Sequence, residues 1–347
     1  MDRATGRASL DAAVARTSSA SEGVRYVSWR ISQLIPALFG IVTLTFAIIH
    51  MAPGGPLVAL TGEFSTADYQ RTVEALYGLD RPLSEQYLLY LMSVLKGDLG
   101  QSYFYKQSVL AVILDRLPAT LLLVTPGLLL SSLVGIWLGL VRLRRSDARA
   151  DFGIAAGMFA AYAVPVFWLA QLLILLFGYN LGWFPIQGMR DARLETHGVA
   201  ALLDVAHHLV LPVIAFSLHE LCMISVVTRA KVRGEMRQPY FVTALAKGLD
   251  EPVARRRHAL RNALLPIITL IGGRIGTLLA SAVLVETVFG WPGVGRLIVA
   301  ASLNRDYPLL LGLFLCISAM TMIANLLTDL LYPLVDPRIR LGVHEVA

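Results

Sequence analysis

The sequence predicts an all-α, polytopic membrane protein with about six spanning helices and both termini in the cytoplasm. Three observations carry this. Of the 347 residues 56% are hydrophobic and only 16% charged, with a mean hydropathy of +0.64, against roughly 25% charged residues in a soluble domain. Six apolar runs are long enough to cross a hydrocarbon core of about 30 Å at about 1.5 Å per residue. Lysine and arginine then alternate between rich and poor loops, as the positive-inside rule requires.

In chain order, residues 1–24 are rich in Ala, Ser, Thr and Arg without apolar periodicity and read as a flexible cytoplasmic tail. Residues 25–116 form a first unit. Its run Ile31–Met51 carries no charge and ends in Ala52-Pro53-Gly54-Gly55-Pro56, which reads as an uncleaved anchor rather than a signal peptide. Thr66–Tyr77 and Leu83–Leu95 read as two amphipathic helices of an extracytoplasmic segment, joined by the turn Gly78–Pro82. Residues 117–335 supply five more runs, Leu117–Val141, Phe152–Gly178, His208–Thr228, Ala263–Val285 and Leu309–Tyr332, and 336–347 a cytoplasmic C-terminal tail. Pro126, Pro165 and Pro212 fall in or near the runs as kinks that a packed bundle tolerates.

The net charge of +6 is distributed for membrane orientation and does not point to nucleic acid. The 142–151 loop holds four arginines, and the 229–262 loop holds nine basic residues, whereas 179–204 and 290–306 hold two each. The basic loops are therefore cytoplasmic. Cys222 and Cys316 are the only cysteines, both in apolar runs, so neither a disulfide framework nor a metal-binding spacing is expected.

The 229–262 loop has internal order. Phe241, Ala244, Leu245, Gly248 and Leu249 fall on one face of a short helix. Gly248 is suited to end it in the left-handed conformation, and Asp250-Glu251-Pro252 marks the start of a second helix. The pattern predicts helix, glycine turn, helix, with an apolar face for a partner outside the bilayer, where an ordinary solvated basic loop would need neither.

Several segments then match a known family. They are Ala52–Pro56, GLDRPLSEQYLLYL from Gly78 to Leu91, Gly97–Ser102, VPVFWLAQLLILLF from Val164 to Phe177 and LVLPVIAFSL from Leu209 to Leu218. After them come TALAKGL from Thr243 to Leu249, RHALRNALLPIIT from Arg257 to Thr269, VETVFGWPGVGRL from Val285 to Leu297 and Arg305-Asp306-Tyr307-Pro308. In this order and spacing the chain resembles the permease subunits of bacterial ATP-binding-cassette importers of the dipeptide, oligopeptide and nickel group.

The resemblance implies a type I importer permease fold in the bacterial inner membrane. It implies a chain that is not an enzyme and binds no cofactor or metal itself, with ATP and magnesium held by partners. The implied partners are a second similar permease, two cytoplasmic ATPase subunits and an extracytoplasmic substrate-binding protein. The cytoplasmic loop is implied to dock on the ATPase as a coupling helix, through Phe241, Thr243, Ala244, Leu245, Lys247, Gly248 and Leu249. Ala244 falls on the second alanine of the family motif and Gly248 on its glycine, while Val242 stands where the motif has glutamate and Thr243 where it has the first alanine. A Leu265-Pro266 pair lies further along than the motif's usual closing one.

Within the spans, Glu220 and Arg274 are candidates for the substrate pathway. They lie at matched depth on consecutive runs, where an unpaired charge costs about 2.5–3.5 kcal/mol. They either pair as a structural clamp or line the pathway and meet a zwitterionic substrate. His219 reads as a packed residue, His207 and His208 as interfacial. Trp291, Pro292 and Gly293 form a sharp turn, either a gate at the outer face or an interfacial loop anchored by Trp291. No phosphate-cradling GxxxxGK[ST] occurs. The expected function is import of peptides, with nickel or another metal chelate as the alternative cargo. A different class, an ion-coupled secondary transporter, would use an intramembrane carboxylate such as Glu220.

Overall fold

The computed structural model describes residues 32–33, 35–48, 50–51, 66–143, 148–191, 193 and 197–335. The two terminal tails, the Ala52–Pro56 motif and Arg144 and Arg145 of the first cytoplasmic loop lie outside them. Among the described residues there is no strand, only an isolated bridge between Gln101 and Ser108.

The elements run α1 (Ile35–Ile48), α2 (Ala67–Tyr77), α3 (Leu83–Leu95), α4 (Val109–Leu143) and α5 (Ala148–Ala163). Then α6 (Val166–Leu173) passes into a π-helical stretch, Ile174–Asn180, and α7 (Val199–Glu235) follows. The cytoplasmic loop holds α8 (Pro239–Ala246) and α9 (Glu251–Ala254), which continues through a π-helical stretch, Arg255–Leu260, into α10 (Arg261–Gly273). Last come α11 (Ile275–Val288), α12 (Val294–Leu303) and α13 (Tyr307–Val335).

Among the described residues, three helices are long and apolar enough to cross a membrane unbroken, over Val109–Val141, Val199–Glu235 and Tyr307–Thr328. The run expected as one span over Phe152–Gly178 is bent by 98° between α5 and α6. Pro165 is the cause: it supplies no N–H and biases Val164 away from the helical region, and it takes the extended φ −59°, ψ 136° itself. The expected span Ala263–Val285 is divided at Arg274 (φ −95°, ψ −4°), directly after Gly272-Gly273. The first run appears, within the described residues, as the short α1. The amphipathic helices of the outer segment form where expected, and α3 leans on α1 through Thr43 Oγ1···Tyr87 OH at 2.7 Å and the Phe46–Tyr87 ring pair at 5.3 Å.

The bundle is organised by α4 against α7. Gly127, Gly135 and Gly139 fall on one face of α4 and meet Phe216, Ile224 and Thr228 of α7. A Cβ at Gly135 would stand 2.9 Å from Ile224 Cβ, and one at Gly139 2.8 Å from Thr228 Cβ. Only glycine permits that approach, the general way in which spanning helices gain packing without a hydrophobic driving force. One buried cluster, including Leu123, Phe216, Leu278, Val285, Phe289 and Trp291, joins α4, α7 and α11, and a second, including Val109, Ile113, Leu297 and Leu313, joins α4, α12 and α13. A third ties the cytoplasmic loop to the spans through Ile224, Val232, Phe241, Ala259 and Ile267.

Candidate functional site

The cytoplasmic loop has the predicted construction. Pro239 occupies the first turn of α8, where its missing N–H costs nothing. At the other end Gly248 takes φ +84°. Leu249 N–H donates to Ala244 O at 3.2 Å and Gly248 N–H to Leu245 O at 2.9 Å, the paired bonds of a Schellman closure. Asp250 occupies the position just before the next helix at φ −60°, ψ 137°.

The apolar face is divided rather than wholly available to a partner. Phe241 is 3% exposed and sits in the buried cluster with Val232, Ala254 and Ala259, and Leu249 packs against the same cluster. An eight-residue helix gains little stability by itself, so the Phe241 ring is spent holding it to α7 and α10. The outward surface is Val242 at 58% exposed and Leu245 at 38%, with Thr243, Lys247 and Gly248 also exposed and Ala244 half-buried. Tyr240 hydroxyl donates to Glu235 Oε2 at 2.5 Å. Burial first, then that carboxylate, pushes its phenol up to about 12.

Glu220 and Arg274 meet. Arg274 Nε donates to Glu220 Oε2 at 2.7 Å and Nη2 to Oε1 at 2.8 Å, a bidentate pair. Glu220 is buried on α7, and Arg274 stands at the junction of α10 and α11, so the helix break falls at the residue that reaches across. Beside the pair lies a cavity of about 90 Å³ lined by Val166, Phe216, His219, Glu220, Leu278 and Ser281. His219 stacks on Tyr162 at 4.1 Å and 20°, and its buried Nδ1 has no hydrogen-bond partner among the described residues. His207 Nε2 lies 2.9 Å from Trp183 O. His208, expected at the interface, is instead buried, with Nδ1 3.0 Å from Asp204 Oδ1.

The outer turn is locked into protein. Trp291 is fully buried, which removes it as an interfacial anchor, and its Nε1–H donates to Ala119 O of α4 at 2.7 Å. The group that organises the turn is Glu286, also fully buried. Its carboxylate accepts from Thr120 Oγ1 at 2.6 Å and from Arg296 N–H at 2.9 Å, while Val294 N–H donates to Thr120 Oγ1 at 2.8 Å. Glu286 and Thr120 thereby satisfy donors at the start of α12. A Cβ at Gly293 would collide with the Glu286 carboxylate. A second buried acid, Asp306, accepts from Ser102 Oγ at 2.5 Å, from Tyr103 and Phe104 N–H at 3.1 Å each, and from Leu309 N–H at 3.3 Å. It joins the outer segment to the start of α13. Both acids lie within the segments that carry the family resemblance, but the sequence assigns neither of them a role. For Glu286 the available signal was a carboxylate at the edge of an apolar run, seven residues before Gly293.

A bundle of apolar helices with a helix–glycine–helix loop on its cytoplasmic side and a closed ion pair inside its spans defines a polytopic membrane protein. Residues 131–341 match the family described as "Binding-protein-dependent transport system inner membrane component", and residues 24–124 match its N-terminal family. The chain belongs to this family and is an inner-membrane transport component. It is 37% identical over 331 residues to the "Di/tripeptide transport system permease protein DppB" of Pseudomonas aeruginosa (strain UCBPP-PA14), covering 91% of this chain and 98% of that protein. It is 36% identical over 316 residues to the "Oligopeptide transport system permease protein AppB" of Bacillus subtilis (strain 168), covering 90% and 98%. The "Dipeptide transport system permease protein DppB" of Escherichia coli (strain K12) is 34% identical over 335 residues, covering 91% and 99%.

Proposed function

We propose that this chain is the permease subunit of an ATP-driven, binding-protein-dependent importer of di- and oligopeptides. The relatives named above, each matched over nine-tenths of this chain or more, support the peptide cargo. The structural observation that carries the coupling role is α8: a short helix anchored by Phe241, closed by Gly248, and presenting Val242 and Leu245 outward. The permease performs no chemistry. Two cytoplasmic ATPase subunits hold ATP and magnesium and push on α8, and the helices on either side of the loop carry that movement into the bundle as a rigid body. A second permease completes the passage, and an extracytoplasmic binding protein delivers the peptide.

In this scheme Glu220 and Arg274 brace α7 against the α10–α11 junction beside the pathway. Both carboxylate oxygens are engaged by the guanidinium, which argues against Glu220 as the free coupling carboxylate of an ion-driven transporter. Trp291, Pro292 and Gly293 serve as a gate element at the outer face, held closed on α4 by the Trp291–Ala119 bond. Reconstitution in proteoliposomes with the partner subunits tests the reading. ATP-dependent uptake of a dipeptide in preference to a nickel chelate supports it. Uptake by the chain without any ATPase subunit contradicts it.

A further inference from the structure

At the outer face, a pocket of about 230 Å³ opens between the start of α4 and α12. It has room for roughly eight water molecules at ~30 Å³ each. Its lining is Tyr105, Arg116, Pro292, Gly293, Arg296, Leu297 and Ala300, with two guanidinium groups and no acidic side chain. The backbone donors at the start of α12 are already taken by Thr120 and by the Glu286 carboxylate behind the Gly293 wall, so the cationic donors of the pocket are those of the arginines. Arg296 spends one donor on Gly290 O, at 2.7 Å, which fixes the side chain and leaves four of its five N–H groups. Arg116 Nε lies 3.4 Å from the exposed carboxylate of Asp115, its chain neighbour.

The geometry points to a carboxylate site, in which Arg116 and Arg296 hold the C-terminal carboxylate of an incoming peptide at the outer mouth. Guanidinium forks match a carboxylate in plane and charge. The other walls, Tyr105, Pro292, Leu297 and Ala300, are aromatic or apolar and suit the residue that bears the carboxylate. Pro292 and Gly293 belong to the proposed gate turn, so a bound carboxylate sits directly against it. The identity of the ligand as a peptide rests on the importer reading above.

The test uses the full chain with its partner subunits in lipid nanodiscs, without binding protein. Saturation-transfer NMR compares N-acetylalanine, which offers only a carboxylate, with N-acetylalaninamide. The acid binds and the amide does not. Arg116→Gln and Arg296→Gln each weaken the acid about tenfold or more, the loss of one charge-assisted contact. Asp115→Asn tightens it, because the competing carboxylate is gone. Arg116→Gln breaks no backbone contact of the turn, which keeps the test valid if Arg296→Gln unfolds. Equal binding of acid and amide, or acid binding unchanged in Arg116→Gln, overturns the site. Failure of the acid to bind, together with Arg116→Gln weakening the attachment of an extracytoplasmic protein, also overturns it and assigns the arginines to docking. If the acid binds as stated but the complex imports no peptide, the pocket stands and the importer reading falls.

Discussion

Arg274 reaches across from the α10–α11 junction to Glu220, 54 positions away in sequence, and closes both carboxylate oxygens at 2.7 and 2.8 Å. Matched depth on consecutive spans makes the pairing possible. The break after Gly272-Gly273 places the guanidinium at the junction.

Removing one partner leaves the other charge buried. Glu220→Gln and Arg274→Met therefore each destabilise the protein by about 3–5 kcal/mol, whereas the double variant recovers most of the loss. Thermal unfolding of the purified complex in detergent checks this. Additive losses in the double variant would show that the residues act separately.

The α4–α7 contact predicts opposite outcomes for two glycines. At Gly139 an added Cβ meets Thr228 at 2.8 Å and Ser225 O at 2.9 Å, so Gly139→Ala forces the helices apart and costs about 1–3 kcal/mol. At Gly153 on α5 nothing lies within 4 Å, and Gly153→Ala is neutral or gains up to about 1 kcal/mol from helix propensity. Melting temperatures of the two variants provide the comparison.

Ser102 and Asp306 are coupled. Asp306→Ala strands two N–H donors of the outer segment and the Ser102 hydroxyl. A Ser102→Ala, Asp306→Ala double-mutant cycle yields an interaction energy of about 0.5–3 kcal/mol. A value of zero would mean the two segments are held by apolar packing alone.

Tyr240 titrates late. Its folded value of about 12 lies above the ordinary phenol value of ~10. The contribution of the neutral phenol is thus complete below pH ~10 and disappears as pH rises toward about 12. An ultraviolet difference titration of the wild type minus Tyr240→Phe shows a component near 12. A component at the ordinary value would contradict both the burial of the ring and the Glu235 contact.

The features legible in sequence are those set by local physics or by the cost of charge in the membrane. Gly248 could be read as a helix stop because only the left-handed conformation closes a helix there, and Glu220 and Arg274 stood out because apolar runs rarely carry charge. Periodicity also placed Phe241, Ala244 and Leu245 on one face, but it cannot tell which body that face meets, and Phe241 turned out to face its own bundle. Pro165 is legible as a kink, whereas the size of the bend it causes, 98°, is not written in any local pattern. The Ser102–Asp306 contact joins residues 204 positions apart, which no local pattern encodes. The role of Glu286 is not legible in the sequence, because half of its cradle comes from Thr120, 166 positions away.

The role proposed for α8 is to transmit ATPase movement to the spans. The most direct measurement is the ratio of ATP hydrolysed to dipeptide imported by the reconstituted complex carrying Gly248→Val or Gly248→Asn. No atom lies within 4 Å of a Cβ at this position, so the substitution acts through the backbone at φ +84°, where valine is strained by about 1–2 kcal/mol and asparagine is tolerated. With α8 as the transmitting element, the complex carrying Gly248→Val keeps hydrolysing ATP while uptake falls about tenfold, and Gly248→Asn transports nearly as the wild type. Normal uptake by Gly248→Val would contradict it.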